Sequence, residues 1–174
     1  MIKIQKPIKE DSRGVQEVFY KTWLETYPNK EAGILKEDIE EHFKNRFSDE
    51  VIKKKEKFFM NIPKNELFLV AKDGEKVVGV CAAVIGEDFN QLRGIYVLPD
   101  YQRQVIGLLF WNKIKEFLDK DKNIIVQLVA YNKQAESFYK KLGFVDTGKR
   151  FVDETHKMSV SGKFIPEMEM IIKC

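Results

Sequence analysis

The run from Ile95 to Phe110, Ile-Tyr-Val-Leu-Pro-Asp-Tyr-Gln-Arg-Gln-Val-Ile-Gly-Leu-Leu-Phe, carries the first candidate chemistry. An apolar strand passes through a short polar connection directly into a helix. Several main-chain N–H groups at that helix start then lack intrahelical acceptors and point outward together. Such a terminus suits an anion, phosphate above all. Only one glycine, Gly107, falls in the connection, so the residues alone read equally as an ordinary strand-to-helix loop. The second stretch runs from Ala130 to Phe144. Asn132 closes an apolar strand and directly precedes a helix, where it is either an N-cap or a ligand contact. Tyr139 shares a helical stripe with Phe138 and reads as a core ring with its hydroxyl at the edge. His42 and His156 have no Ser, Cys or carboxylate constellation, and Cys81 and Cys174 lack metal-ligand spacing. Neither a nucleophilic triad nor a metal site is expected.

These residues need a scaffold, and the periodicities supply one. Ile2 to Gln5 alternates as a short strand closed by Pro7. From Asp11 or Ser12, the residues Val15, Val18, Phe19, Trp23 and Tyr27 follow helical spacing up to Pro28. Ile39, Phe43 and Phe47, then the Lys-rich segment from the Ser48-Asp49 cap to Phe58-Phe59-Met60, read as two short helices or one bent one. Leu67 to Ala71, an Asp73-Gly74 turn and Val77 to Ile85 form a hairpin signal. Gln91 to Leu98 is a fourth strand. Phe110, Ile114, Phe117 and Leu118 mark a helix, Ile124 to Ala130 a fifth strand, and strand, helix, strand of this length implies a right-handed parallel crossover. Ala135, Phe138, Tyr139 and Leu142 give the next helix, stopped by Gly143. Phe144 to Arg150 or slightly beyond and Ile165 to Lys173 are closing strands, with residues 153–162 between them as a polar loop.

At 174 residues the chain is expected to form one domain, 1–174. Thirty Lys plus Arg against 27 Asp plus Glu leaves a net charge of +3, which argues against a dedicated nucleic-acid binder. The 44% hydrophobic content with 13 Phe can build a core and argues against disorder. Two cysteines fit a reducing compartment. The N-terminus has no apolar signal core, and no run reaches the ~18 apolar residues of a membrane helix. A cytoplasmic protein without membrane partners is expected.

Two motifs lift the reading further. Asn132-x-x-Ala135-x-x-Phe138-Tyr139-x-x-x-Gly143-Phe144, together with Tyr96-Val97-x-Pro99-x-Tyr101-Gln102-x-x-Val105-x-Gly107, resembles the signatures of the GNAT superfamily of acetyl-CoA-dependent N-acetyltransferases. The likeness in element order spans Ile2 to Lys173. It implies an α/β (α+β) fold, a central mixed, mostly antiparallel sheet of about seven strands with helices on both faces and a splay between strands four and five. Val105 stands where the family usually has glycine. A β-branched residue tolerates positive φ badly, so Val105 is expected to keep helical or bridge-region dihedrals.

The resemblance implies acetyl-CoA as co-substrate and no metal. It places the pantetheine arm against the main chain of Ile95, Tyr96 and Val97 and the pyrophosphate on Gln102, Arg103, Gln104, Val105, Ile106, Gly107 and Leu108. Asn132 faces the arm; Arg103, Lys140 and Lys141 are candidates for the 3′-phosphate, with a solvated lysine pair as the plainer reading of Lys140 and Lys141. A fourth-strand N–H polarises the thioester carbonyl, an amine attacks directly, and Tyr139 protonates the departing thiolate. The fourth strand carries no carboxylate to serve as base. Glu87 and Asp88 just upstream are either water-relayed bases or turn residues, and a route without any base is also open. Trp23-Leu24-Glu25-Thr26-Tyr27-Pro28 resembles the first-helix region of bacterial spermidine/spermine acetyltransferases, so Trp23, Glu25 and Tyr27 are acceptor candidates, with core stripe and surface as the plainer reading. The expected acceptor is a small amine such as a polyamine. A protein N-terminus or lysine, and a non-catalytic acyl-CoA-binding module, are the alternatives. The chain is a monomer or a homodimer paired through its last strands.

Overall fold

A computed structural model describes residues 1–174, apart from the side chains of Thr155 and His156. The sequence reading of His156 therefore lies outside the described residues. The chain runs β1 (Ile2–Gln5), α1 (Ser12–Thr26), α2 (Lys36–Phe43), α3 (Asp49–Met60), β2 (Glu66–Asp73), β3 (Lys76–Ile85), β4 (Asn90–Val97), α4 (Ile106–Phe117), β5 (Ile124–Val129), α5 (Lys133–Lys141), β6 (Val145–Lys157) and β7 (Phe164–Ile172). The β2–β3 turn falls at Asp73-Gly74, where Gly74 takes φ 59°, a value that glycine adopts without a Cβ penalty. The segment before Pro63 forms two helices, α2 and α3. The sequence reading of residues 153–162 as a loop is corrected: β6 continues to Lys157. Its pairing with β7 shifts register between Val152 and Lys157, and Lys157 pairs with Phe164 beyond the shift.

The seven strands form one mixed sheet in the order β1-β2-β3-β4-β5-β7-β6. All neighbours are antiparallel except β4 and β5, which pair in parallel at three positions only, Asn90 with Ile124, Gln91 with Ile125 and Leu92 with Val126. Beyond Leu92 the two strands part. That is the splay expected of the fold.

A bulge in the β2–β3 ladder near Val78 helps to dress both faces with helices. On one side of it, Gly79 lacks the Cβ that would stand 3.1 Å from Phe110 of α4. On the other, Gly14 of α1 packs against Val77. The main core, including Val15, Val18, Val70, Phe110, Ile114 and Met170, fills both layers. A smaller cluster of Ile34, Ile39, Phe43, Val129, Met158 and Ile165 seats α2 over the end of β5 and β7. Asp38 locks that seat. It is buried and accepts the main-chain N–H groups of Leu35, Val160 and Ser161 at 2.9, 3.1 and 2.8 Å. Burial alone would raise its carboxyl, but these hydrogen bonds outweigh it and hold the group below the ordinary value. Among the described residues, no helix is long and apolar enough to cross a membrane.

Candidate coenzyme and acceptor site

The site begins where β4 loses its neighbour. Ala82 pairs with Gly94 and Ala83 with Leu92, so Arg93 is an extra residue, and Gly94 takes φ 140°. A side chain at Gly94 would also meet the Tyr96 ring at 2.7 Å, so glycine is required twice over. After this bulge, Leu98 N–H bonds back to Val78 of β3 at 2.9 Å. Ladder alternation then turns the main-chain groups of Ile95 and Val97 toward the gap. Gln102 Nε2 donates to the Val97 carbonyl at 3.0 Å, and the Ile95 N–H is directed at the Tyr139 hydroxyl.

The connection into α4 is a 3-10 turn, Pro99–Tyr101, followed by one left-handed residue, Arg103, at φ 58°. Val105 has φ −72° and ψ −4°, as expected of a β-branched residue there; the backbone reversal is carried two positions earlier. No side chain caps α4 and no acid lies in its first turn, so its leading N–H groups are offered outward. Gly107 has another function: a Cβ there would stand 2.9 Å from Phe138 Cζ of α5. It lets the two helices close on the gap.

A cavity of about 670 Å³ lies between β4, α4 and α5. Of the predicted coenzyme residues, Ile95, Tyr96, Val97, Gln102, Arg103, Gln104, Gly107, Asn132 and Lys141 line it, and so does Tyr139. Three do not reach it with their side chains. Val105 and Leu108 point to solvent and Ile106 is in the core, leaving only their main chain available. Asn132 caps α5, accepting the Ala135 N–H at 3.0 Å, while also facing the cavity. Lys140 is held by Glu136 at 2.7 Å, and Lys141 is the lysine at the cavity. Burial raises the Tyr139 phenol well above its ordinary value, with Tyr96 and Cys81 adding to the effect, so it stays protonated at neutral pH and can donate.

A second cavity, about 760 Å³, lies under α1, α2 and α3. Tyr27, Tyr96, Gln127, Leu128 and Val129 line both, so the two spaces adjoin at the splay with these residues as their shared wall. Trp23 lines the second, with His42 stacked on it at 5.0 Å and Tyr27 at 4.3 Å. The buried Trp23 indole N–H is turned toward the Tyr96 phenol without completing a hydrogen bond. Burial, then the neighbouring Tyr96, hold Tyr27 well above its ordinary value.

Glu25, an acceptor candidate, and Glu87, a candidate for a water-relayed base beside the acceptor, are not brought to the site. Both are exposed and line neither cavity. Glu25 lies two residues from both Trp23 and Tyr27, which turns it to the opposite side of α1. Glu87 sits in the loop before β4, at the end where that strand is still paired. The acids facing the second cavity are Glu167 of β7 and Asp153 of β6, which the sequence reading missed. The available signal was the alternation of Ile165, Glu167 and Glu169, which puts Glu167 on the face opposite the buried Met168 and Met170.

The model of the acetyltransferase (GNAT) domain family matches residues 24–159. The chain belongs to the GNAT acetyltransferase family. Among solved structures, this GNAT chain is similar to the PaiA N-acetyltransferase from Thermoplasma acidophilum in complex with coenzyme A, at 28% identity over 96% of this chain and 98% of that one, with a TM-score of 0.63. It shares its fold with the ribosomal-protein-S18-alanine N-acetyltransferase from Escherichia coli, at 18% identity over 99% and 93% of the two chains and a TM-score of 0.63. A putative acetyltransferase from Salmonella typhimurium, YncA with its cofactor acetyl-CoA, has the same fold at 15% identity, 99% and 93% coverage and a TM-score of 0.65. The GNAT chain is thus an N-acetyltransferase with two cavities that adjoin at its β4–β5 gap.

Proposed function

We propose that this GNAT enzyme binds acetyl-CoA in the cavity between β4, α4 and α5 and passes its acetyl group, by direct attack, to a small primary amine held in the second cavity. The junction of the two cavities carries the reading: a thioester lying in the gap is within reach of a nucleophile from the other side. The coenzyme A held by the Thermoplasma relative supports the donor assignment. Ile95 and Val97 main chain and Asn132 hold the pantetheine arm. The N–H groups from Gln102 to Leu108 take the pyrophosphate, and Arg103 and Lys141 the 3′-phosphate. A β4 N–H next to the bulge polarises the carbonyl, and Tyr139 gives its proton to the departing thiolate.

For the acceptor, the rings of Trp23, Tyr27 and Tyr96 beside the carboxylates of Glu167 and Asp153 support a cationic amine, with a polyamine as the class. Coenzyme-binding calorimetry followed by a thiol-release screen over spermidine, monoamines and peptides tests this. Turnover on spermidine and not on peptides is expected. Tyr139→Phe should bind coenzyme as the parent does while kcat falls about 100-fold. Binding without turnover on any acceptor would make the protein a coenzyme-binding module. Full kcat in Tyr139→Phe would remove that residue from the chemistry.

A further inference from the structure

An amine reaches the enzyme as an ammonium and attacks only as a neutral nitrogen. With a pKa near ~10, roughly one molecule in a thousand is neutral at pH 7. A base is therefore worth having, and β4 supplies no carboxylate: Gln91, Leu92, Arg93 and Tyr96 are its residues at the second cavity, and Arg93 lies 3.5 Å from Glu66.

β7 brings a carboxylate to this place instead. Glu167 pairs across the ladder with Val129, the last residue of β5 and part of the lining shared by both cavities. Its charge acts on both Tyr27 and Tyr96, the two phenols at the junction. Asp153, on β6, lies one strand further from the gap. Among the described residues His42 also lines the cavity, with its Nε2 3.5 Å from the Arg46 guanidinium. The cations around the cavity, Arg46, Lys55 and Arg93, come from the α2–α3 connection, α3 and β4.

We propose that Glu167 is the general base of this enzyme, accepting a proton from the acceptor ammonium directly or through one water. This rests on the acetyl-transfer reading of the site. The ammonium gives one proton to the Glu167 carboxylate. The neutral nitrogen forms a bond to the acetyl carbon as the carbon–sulfur bond breaks. The thiolate takes the Tyr139 proton, the nitrogen returns its second proton to Tyr139, and Glu167 releases its own to solvent. Ammonium and thioester become amide, thiol and one proton.

The test is the pH profile of kcat/KM for spermidine in the parent, Glu167→Gln, Asp153→Asn and His42→Gln proteins, with coenzyme binding measured alongside as a check on folding. Glu167→Gln should lose about 100-fold at pH 7 and rise about tenfold per pH unit, so that the gap to the parent falls below about threefold by pH 10. Its coenzyme affinity should match the parent's. A loss in Glu167→Gln that is the same at every pH, expressed only in KM, would make the residue a cation holder and overturn the proposal. So would an unchanged Glu167→Gln, or a profile that responds to Asp153→Asn or His42→Gln in its place. A parent protein that acetylates no amine overturns the acetyl-transfer reading, and this assignment with it; a turning-over parent with an indifferent Glu167→Gln overturns this assignment alone.

Discussion

Replacing Gly107 with alanine separates two reasons for a glycine at this point. One is close approach of a phosphate to the main chain. The other, read from the structure, is contact between helices: the added Cβ would stand 2.9 Å from Phe138 Cζ and 3.0 Å from Cε2. Carbon atoms settle at ~3.5–4.0 Å, so the methyl is short by about 0.6 Å against a ring already in edge contact with Tyr139. Overpacking of this kind costs ~1–3 kcal/mol, and the better helix propensity of alanine returns up to ~1 kcal/mol. A net loss of about 1–2 kcal/mol is expected, or a fall in Tm of roughly 2–8 °C for a chain of this size. Thermal unfolding of Gly107→Ala, Phe138→Leu and the double variant is the assay. Shortening Phe138 removes the clashing ring atoms, so Gly107→Ala should cost less than about 0.5 kcal/mol in that background. Calorimetry with coenzyme A should recover in parallel. If the two losses simply add, or if Gly107→Ala leaves Tm unchanged and abolishes coenzyme binding in both backgrounds, the helix-contact account is wrong.

Arg103 holds a left-handed backbone with a side chain at the coenzyme cavity. Arg103→Gly should raise stability by up to ~1 kcal/mol while weakening coenzyme A binding in a salt-dependent way, seen by pairing thermal unfolding with calorimetry at two ionic strengths. A variant with unchanged stability and unchanged affinity would refute both halves. Asp38 has a folded pKa below its unfolded value of ~4, so its contribution is fully present above pH ~4 and lost as pH falls through the folded value. Asp38→Asn should therefore be less stable than the parent by about 2–3 kcal/mol at pH 7, with the difference shrinking on acidification below pH 4. A constant gap from pH 7 to pH 2 would show that the carboxylate charge is not what the three N–H groups need.

The sheet was legible because its signals are local. The Asp73-Gly74 turn between two apolar runs, the parallel crossover from β4 to β5 and the gapless motif from Asn132 to Phe144 each sit within a short window of sequence. Val105 was legible for the same reason, since β-branching alone constrains its φ. Arg103 was not, because nothing in its residue type announces a left-handed backbone. The acceptor cavity resisted more strongly. It is built from α1, α2, α3, β4, β5, β6 and β7, and the distance along the chain from Trp23 to Glu167 hides their meeting. Glu25 and Glu87 are close in sequence to an aromatic pair and to β4, but closeness along the chain is not closeness in space. Helical rotation carries the first away, and the paired end of the strand carries the second. β6 outran its expected end, and its last residue, Lys157, pairs with Phe164 of β7.

Three residue pairs at one end are all that join β4 to β5, and this makes the sheet resemble two leaves on a common spine. One leaf, β1 to β4, is finished by antiparallel neighbours that are mostly close in sequence; the other, β5, β7 and β6, is finished by a hairpin from the C-terminal region. Each leaf is internally complete up to the edge it turns toward the other. The junction of the cavities exists in neither leaf alone, so a chain with either leaf misassembled could keep most of its secondary structure and have nowhere to bring donor and acceptor together. Chemistry is assigned to the line along which the protein's own hydrogen bonding stops.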